Sequence, residues 1–339
     1  MTELPAVGDE GIDLVYTWVD DQWPGYADLL RAHARTRHDV NPNRTRDNLE
    51  LLRYSLRSVA LYMPWVRRIH LLTCRPQIPS WLNAGHPRLR ITHHDEIMDA
   101  QSVPTFSSFA IISHLHLIPG VSPRFVYMED DMLLRAPVSI GHFFDSSGRI
   151  RVYPRLGRTA SPARRDDSRI SPWNAALARA NHLLDTRFVR ARRCTINHVP
   201  LPVDRELWRA MLDEWPEAAR HTRTSRFRCA GNIAPEYLYP HYALALGRAI
   251  ASPLSRTYRD SYYFPLENRL WQMRLQHGIA TQLKPKFVTM NDNFDEQPDP
   301  AVVSYVRRML ERWFPQPSPF ETPRVQAANR APESLRAAH

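Results

Sequence analysis

Residues 124–134 read RFVYMEDDMLL. The first six, RFVYME, are mostly aromatic or apolar and predict a strand over 124–129. The strand runs straight into Asp130 and Asp131. Adjacent carboxylates at a strand end repel each other and raise each other's pKa unless a cation compensates. A hard divalent ion with oxygen ligands is the usual solution, and magnesium also bridges substrate phosphates. The competing reading is a helix cap or a solvated turn, because an acidic pair is non-specific in isolation.

Working outward, IDLVYTWV at 12–19 is a second β-branched and aromatic run, and it too ends in acid, at Asp20 and Asp21. RIHLLT (68–73) and RLRITH (88–93) read as strands. Between the 12–19 run and the 68–73 strand, Leu49, Leu52, Leu56, Val59 and Met63 recur at helical spacing. Asp47 and Glu50 are spaced as a capping box at the start of that helix, and Pro64 stops it. Arg53 and Arg57 share another face of the same helix. Residues 107–117 predict a further helix, ended by Pro119-Gly120. Alternating strands and helices give an α/β fold with a doubly wound, mainly parallel sheet. In such sheets ligands sit at the carboxyl ends of the strands, where both acidic ends fall.

Downstream, residues 149–193 carry twelve arginines against three acids and read as a basic loop or small helical insertion. It is either a solvated surface or an acceptor or membrane patch. Helices are expected near 203–214, 234–248, 266–277 and 299–313, making the C-terminal half mostly helical. KFVTM (286–290) reads as a late strand ending at Asn291-Asp292-Asn293. The expected organisation is a loose leader over 1–10 and one domain over 11–314. That domain divides into an α/β half (11–148), the arginine-rich insertion (149–196) and a second half (197–314). A disordered tail is expected from 315 to 339, rich in Pro, Ala and Arg.

Composition narrows the function. Only 11 glycines occur, with no GxGxxG and no GxxxxGK[ST], so a glycine-rich phosphate loop is not expected. The formal charge of +10 is almost all arginine, since lysine occurs only at 284 and 286. This reflects either base composition or a preference for anionic partners such as nucleotide diphosphates, phosphorylated glycans or an acidic membrane surface. Cys74, Cys194 and Cys229 are far apart and odd in number, which argues against a disulfide framework or a structural zinc site. The N-terminus has no signal-peptide pattern, and no apolar run approaches the ~20 residues of a membrane span. A cytoplasmic protein, at most peripheral at the inner membrane face, is expected.

Several other residues could carry chemistry. His198, beside Pro200, is either structural or a general base near neutrality. Arg226 and Arg228 could clamp a diphosphate, although chance arginine pairs are common in this chain. His93-His94-Asp95 looks like a metal cluster, but successive strand residues point to opposite faces, which favours a structural role.

These pieces occur in an order that resembles the Stealth family of sugar-phosphate transferases. The matching blocks are IDLVYTWVD (12–20); RDNLELLRYSLRSV (46–59) through PTFSSFAIISHLHLIPG (104–120) to RFVYMEDDMLL (124–134); NHVPLPVDRELW (197–208) through RFRCAGNIAPEYLYPHYAL (226–244); and FVTMNDNFD (287–295). They span about half the chain. The family includes bacterial capsule and exopolysaccharide phosphotransferases and the catalytic subunit of the animal enzyme that starts the mannose-6-phosphate tag.

The resemblance implies a Mg²⁺-dependent (or Mn²⁺-dependent) hexose-1-phosphate transferase using a UDP-sugar donor and a glycan acceptor, with no nucleic-acid partner. It implies metal binding by Asp130, Asp131 and Asp292, and catalytic roles for His198, Arg228 and Asp292. It places the donor nucleotide at Tyr16, Thr17, Trp18, Asp20 and Arg57, with Glu129, Arg226 and Asn232 as secondary candidates. Three departures stand out: Glu129 where the family usually has Asn, Ile112 where it usually has an acid, and Asn232 where Asp is common. They put donor identity and metal ligation in doubt. An ordinary metal-dependent glycosyltransferase releasing UDP, and a non-catalytic glycan- or membrane-binding protein, are the alternatives.

Overall fold

Asp13–Trp18 is buried nearly throughout and forms the central strand β1. The computed structural model describes residues 11–35, 49–167, 169–294 and 297–322. After β1 come α1 (Tyr26–His33), α2 (Leu51–Tyr62), β2 (Ile69–Thr73), β3 (Leu89–His93), α3 (His94–Ile97), α4 (Ser108–Ile112) and β4 (Arg124–Glu129). β5 (Met132–Leu134), β6 (Ile150–Val152), β7 (Pro154–Arg158), α5 (Pro172–Arg187), β8 (Cys194–Ile196) and β9 (Leu201–Asp204) follow. Then come α6 (Arg205–Glu214), α7 (Pro216–Thr224), α8 (Pro235–Ala245), β10 (Ala249–Ala251), α9 (Leu254–Asp260), β11 (Ser261–Leu266), α10 (Leu270–Leu283), β12 (Phe287–Asp292) and α11 (Pro300–Trp313).

The main sheet has the order β3-β2-β1-β4-β9. Its first four strands are mutually parallel, and β9 runs antiparallel to β4. The strands predicted at 12–19, 68–73, 88–93 and 124–129 are β1 to β4, and the α/β, mainly parallel expectation holds. Strand order reverses between β1 and β4, because β2 and β3 extend the sheet to one side of β1 and β4 joins the other. That reversal opens a crevice at the carboxyl ends of β1 and β4, where Thr17 lies opposite Glu129.

A second, three-stranded sheet, β11-β12-β5, has β12 parallel to β11 and antiparallel to β5. It places a sheet in the half expected to be mostly helical. β11 escapes sequence reading because Pro265 interrupts SYYFPL. Asp130 and Asp131 form the turn that carries the chain from the first sheet into the second. Buried hydroxyls on α2 fix this turn. Ser55 Oγ donates to the Met132 carbonyl at 2.5 Å and lies 2.6 Å from the Tyr16 hydroxyl, while Ser58 Oγ accepts from the Leu134 N–H at 3.0 Å. The Met290 N–H donates to the Asp131 carbonyl at 2.9 Å, tying β12 to the same turn.

Some local expectations change. The helix expected over 107–117 is α4 followed by a separate 3-10 turn at Leu115–Leu117. The expected basic insertion contains the 16-residue α5, whose Ala176, Ala180 and Leu184 are buried. Several of its arginines are neutralised, Arg179 by Asp166 and Arg193 by Asp185, each at 2.7 Å. Asp47 and the leader lie outside the described residues. Glu50 does not act as a capping-box partner; it stands before α2 at φ 53° and accepts from Arg53 at 3.0 Å.

Residues 315–322 are packed, contrary to the tail expected from Pro315. Glu321 is 5% exposed and accepts from both arginines of α2, Arg53 at 2.6 Å and Arg57 through two nitrogens at 2.7 Å. Burial opposes its charge, but these guanidiniums and the Ser318 N–H hold its carboxyl down at about 2. A depressed folded pKa gives stability that is complete above the unfolded value of 4.5 and is lost as pH falls toward 2. Glu321→Ala should therefore cost about 3 kcal/mol at neutral pH. In urea melts the gap from wild type should shrink between about pH 4.5 and 2; a pH-independent gap would refute the ion-pair account.

Candidate active site

At the end of β4 it is Glu129 and Asp131, not Asp130 and Asp131, that converge, because the turn at 130–131 brings the second aspartate back beside the last strand residue. Among the described residues, single ligand atoms from Glu129, Asp131 and His198 all lie within 4.8 Å of one another. β4 delivers Glu129, and the turn after it delivers Asp131. His198 arrives from the segment between β8 and β9, where the Thr289 hydroxyl of β12 donates to its carbonyl at 2.6 Å. Its Nε2 stands 3.5 Å from Glu129 Oε1.

The electrostatics show a negative cluster with too little compensation. Burial, reinforced by the Glu129 charge, pushes Asp131 up to about 7 against the pull of His198. Burial also raises Glu236, on the first turn of α8, to about 7, again with Glu129 adding to the effect. Glu129 resists its own burial because His198 and Arg228 hold its carboxyl below the usual range. Burial disfavours the imidazolium of His198, but Glu129 and Asp131 overcome it and raise the group to about 9. Asp131 Oδ1 and Glu236 Oε2 are buried without a hydrogen-bond partner. Such orphaned carboxylate oxygens are costly. The Glu129 and Asp131 carboxylates are fitting oxygen donors for a hard divalent cation such as Mg²⁺ or Mn²⁺, with the His198 imidazole beside them.

Arg228 belongs to this site. It donates to the Ser108 hydroxyl at the start of α4 and lies 4.6 Å from the Phe109 ring centroid. Thr17, at the end of β1, is 2.9 Å from the Tyr127 hydroxyl. Asp20 is tied by Gln77, which donates to its carbonyl and accepts from its N–H, both at 2.8 Å. Asp292 ends β12 and accepts from the Phe294 N–H at 2.9 Å; like Asp130, it does not enter the three-residue cluster.

Other expected residues are placed elsewhere. Tyr16 is fully buried, with its hydroxyl on Ser55, and Trp18 is buried as well, so neither side chain presents a surface to a nucleotide. Arg57 is spent on Glu321 and the Phe314 carbonyl, away from the crevice. Arg226 lies 3.2 Å from His33 of α1. Asn232 is buried in a tight turn, accepting from the Cys229 N–H and donating to Ser225. Ile112 is core. Sequence reasoning missed Glu236: an acid beside Pro235 in a first helical turn is the ordinary complement of the helix dipole, so nothing distinguishes it. His93 and His94 are structural, with His94 buried and held down at about 3.

By the ring resonances, metal-free His198 should titrate near pH 9 and stay charged at neutrality. Glu129→Gln should bring it down toward the ordinary value near 6.5, because it removes the nearest counter-charge. A midpoint unmoved by that substitution would show that the pair is not coupled.

Family models for the Stealth protein match conserved region 2 over residues 44–152, conserved region 3 over 197–245 and conserved region 4 over 277–332. The chain is 35% identical over 316 residues to the exopolysaccharide phosphotransferase SCO6023 of Streptomyces coelicolor, covering 91% of this chain and 52% of that protein. It is 35% identical to the exopolysaccharide phosphotransferase of Nocardia farcinica (95% and 62% covered) and 30% identical to the capsular polysaccharide phosphotransferase SacB of Neisseria meningitidis serogroup A (95% and 59%). It thus spans roughly half to three fifths of the length of these three relatives. The galactosyltransferase LgtC, solved with donor and acceptor sugar analogs, overlays with a TM-score of 0.40 at 11% identity, covering 92% of this chain and 98% of that one. The three conserved regions together take in more than half of the residues, with Asp131, His198 and Arg228 all inside them, and this chain belongs to the Stealth family.

Proposed function

We propose that this chain is a polysaccharide phosphotransferase that moves a sugar-1-phosphate from a UDP-sugar to a glycan hydroxyl, forming a phosphodiester and releasing UMP. The observation that carries the reading is the pair of partnerless, buried carboxylate oxygens on Asp131 and Glu236, set beside His198 and Arg228 at the sheet's switch point. A site that pays to keep such oxygens uncompensated is built to receive positive charge. The names of the relatives, exopolysaccharide and capsular phosphotransferases, support the reaction class.

Glu129 and Asp131 would hold a divalent ion, Mg²⁺ or Mn²⁺, with Asp130 and Asp292 at the adjoining strand ends as outer partners. The chemistry such an ion supplies is charge neutralisation on the donor diphosphate. Arg228, aimed at the same site, clamps a phosphate oxygen through its planar fork. With a cation neutralising the two carboxylates, the cause of the raised His198 pKa would be removed, which would leave Nε2 to accept the proton of the acceptor hydroxyl. The freed oxygen attacks the phosphorus that bears the sugar. A new P–O bond forms to the acceptor, and the bond to the bridging oxygen of the diphosphate breaks. UMP leaves with that oxygen and its electron pair. Positioning and charge stabilisation supply most of the acceleration in such transfers. We place the reaction in the cytoplasm, at the inner membrane face, where polymer synthesis starts; among the described residues no helix is long and apolar enough to cross a membrane.

Incubating the protein with a panel of UDP-sugars, Mg²⁺ or Mn²⁺ and short glycans, and following phosphorus NMR, should show a diester resonance growing with UMP. UDP as the nucleotide product would instead identify a glycosyltransferase, in which attack falls on the anomeric carbon. Asp131→Asn should lower kcat/KM by roughly 10²–10³ with the circular dichroism spectrum unchanged; activity within twofold of wild type would remove Asp131 from the site.

A further inference from the structure

Residues 153–196 lie between two matched family regions, 44–152 and 197–245, and two of their side chains reach aromatic or cationic groups around the candidate site. The first is Trp173, at the start of α5. Its ring stacks on Phe109 with centroids 5.6 Å apart and planes 27° from parallel. The Arg228 guanidinium lies 5.8 Å from the same indole. Phe109 is wholly buried, but Trp173 remains 38% exposed. The anchoring of α5 does not require that ring, because Ala176, Leu177, Ala180 and Leu184 already bury the inner face of the helix. An indole left open on one side, directly beside the arginine aimed at the donor, is placed for contact with a ligand.

The second is Arg155, on β7. Its guanidinium lies 5.8 Å from the ring centroid of Tyr263, which is 36% exposed. Tyr263 lies beside the Asn291 and Asn293 side chains at the end of β12 and within the field of Asp131. Thus one segment contributes an aromatic beside Arg228 and a cation beside the partly exposed Tyr263.

We propose that this segment builds the acceptor subsite, with Trp173 as the platform for the apolar face of a pyranose ring and the Arg155–Tyr263 pair as its second contact. The ligand class is a glycan chain. Aromatic rings recognise the C–H face of a sugar, and a guanidinium beside a tyrosine takes its hydroxyls or an anionic linkage. The assignment rests on the phosphotransfer reading for the identity of the donor side, but glycan binding does not depend on it.

Two measurements on the full chain decide it. With the acceptor that gives turnover, Trp173→Ala should raise the acceptor KM about tenfold and leave kcat and the donor KM within about twofold, and Trp173→Phe should recover most of the loss. A loss of kcat or of donor affinity instead would give Trp173 a merely structural role through Arg228 and overturn the proposal. Calorimetry without donor, using maltohexaose, cellohexaose and chitohexaose, should show binding of at least one glycan that Trp173→Ala abolishes and Arg155→Ala weakens. Binding that Trp173→Ala leaves unchanged, or no binding of any of the three by wild type, would overturn it. Absence of UMP formation alongside Trp173-dependent glycan binding would refute the phosphotransfer reading and leave this one standing.

Discussion

The candidate site depends on the cost of holding carboxylates together away from water. Glu129 and Asp131 converge where the main sheet changes direction, Glu236 feels the same negative charge, and among the described residues His198 and Arg228 oppose it. A fold free to relax would turn Asp131 outward. This one cannot, because both flanks of the turn are fastened: β4 is paired with β1 and β9, and β5 is pinned by Ser55, Ser58 and β12. The stability of two sheets is therefore used to maintain an unfavourable charge arrangement, as expected where strain and unmet polar groups serve binding.

How much of this the sequence reveals differs by level. The four parallel strands are legible because each is a short apolar run ending at a turn, and the buried strands of a parallel sheet carry that pattern openly. The acidic strand end is legible as well, but its pairing is not. Neighbouring letters suggest Asp130 with Asp131, whereas the turn after β4 brings Asp131 beside Glu129. Glu129, an apparent departure from the family pattern, thus becomes a member of the cluster.

Residues whose roles depend on distant partners are invisible in one dimension. Arg57 sits on a well-predicted helix, but its partner Glu321 lies 264 positions away, and nothing local separates an ion-paired arginine from a phosphate clamp. Tyr16 and Trp18 belong to a specific sequence block, yet a strand buried on both faces spends such side chains on the core. Trp173 is hidden for the opposite reason. It lies in an arginine-rich stretch that reads as surface, and only the packing of α5 brings it to Arg228. The charged cluster lies in regions shared with the family, and Trp173 lies in the segment between two of them.

The central claim is that the partly buried carboxylates at the β4–β5 turn exist to receive a cation shared with a diphosphate. Anomalous diffraction from crystals grown with Mn²⁺ and a non-hydrolysable UDP-sugar tests it most directly. The account predicts one strong peak in contact with Glu129 and Asp131, with the diphosphate bound against it and Arg228. A peak elsewhere, or a bound diphosphate with no peak at these carboxylates, would contradict it.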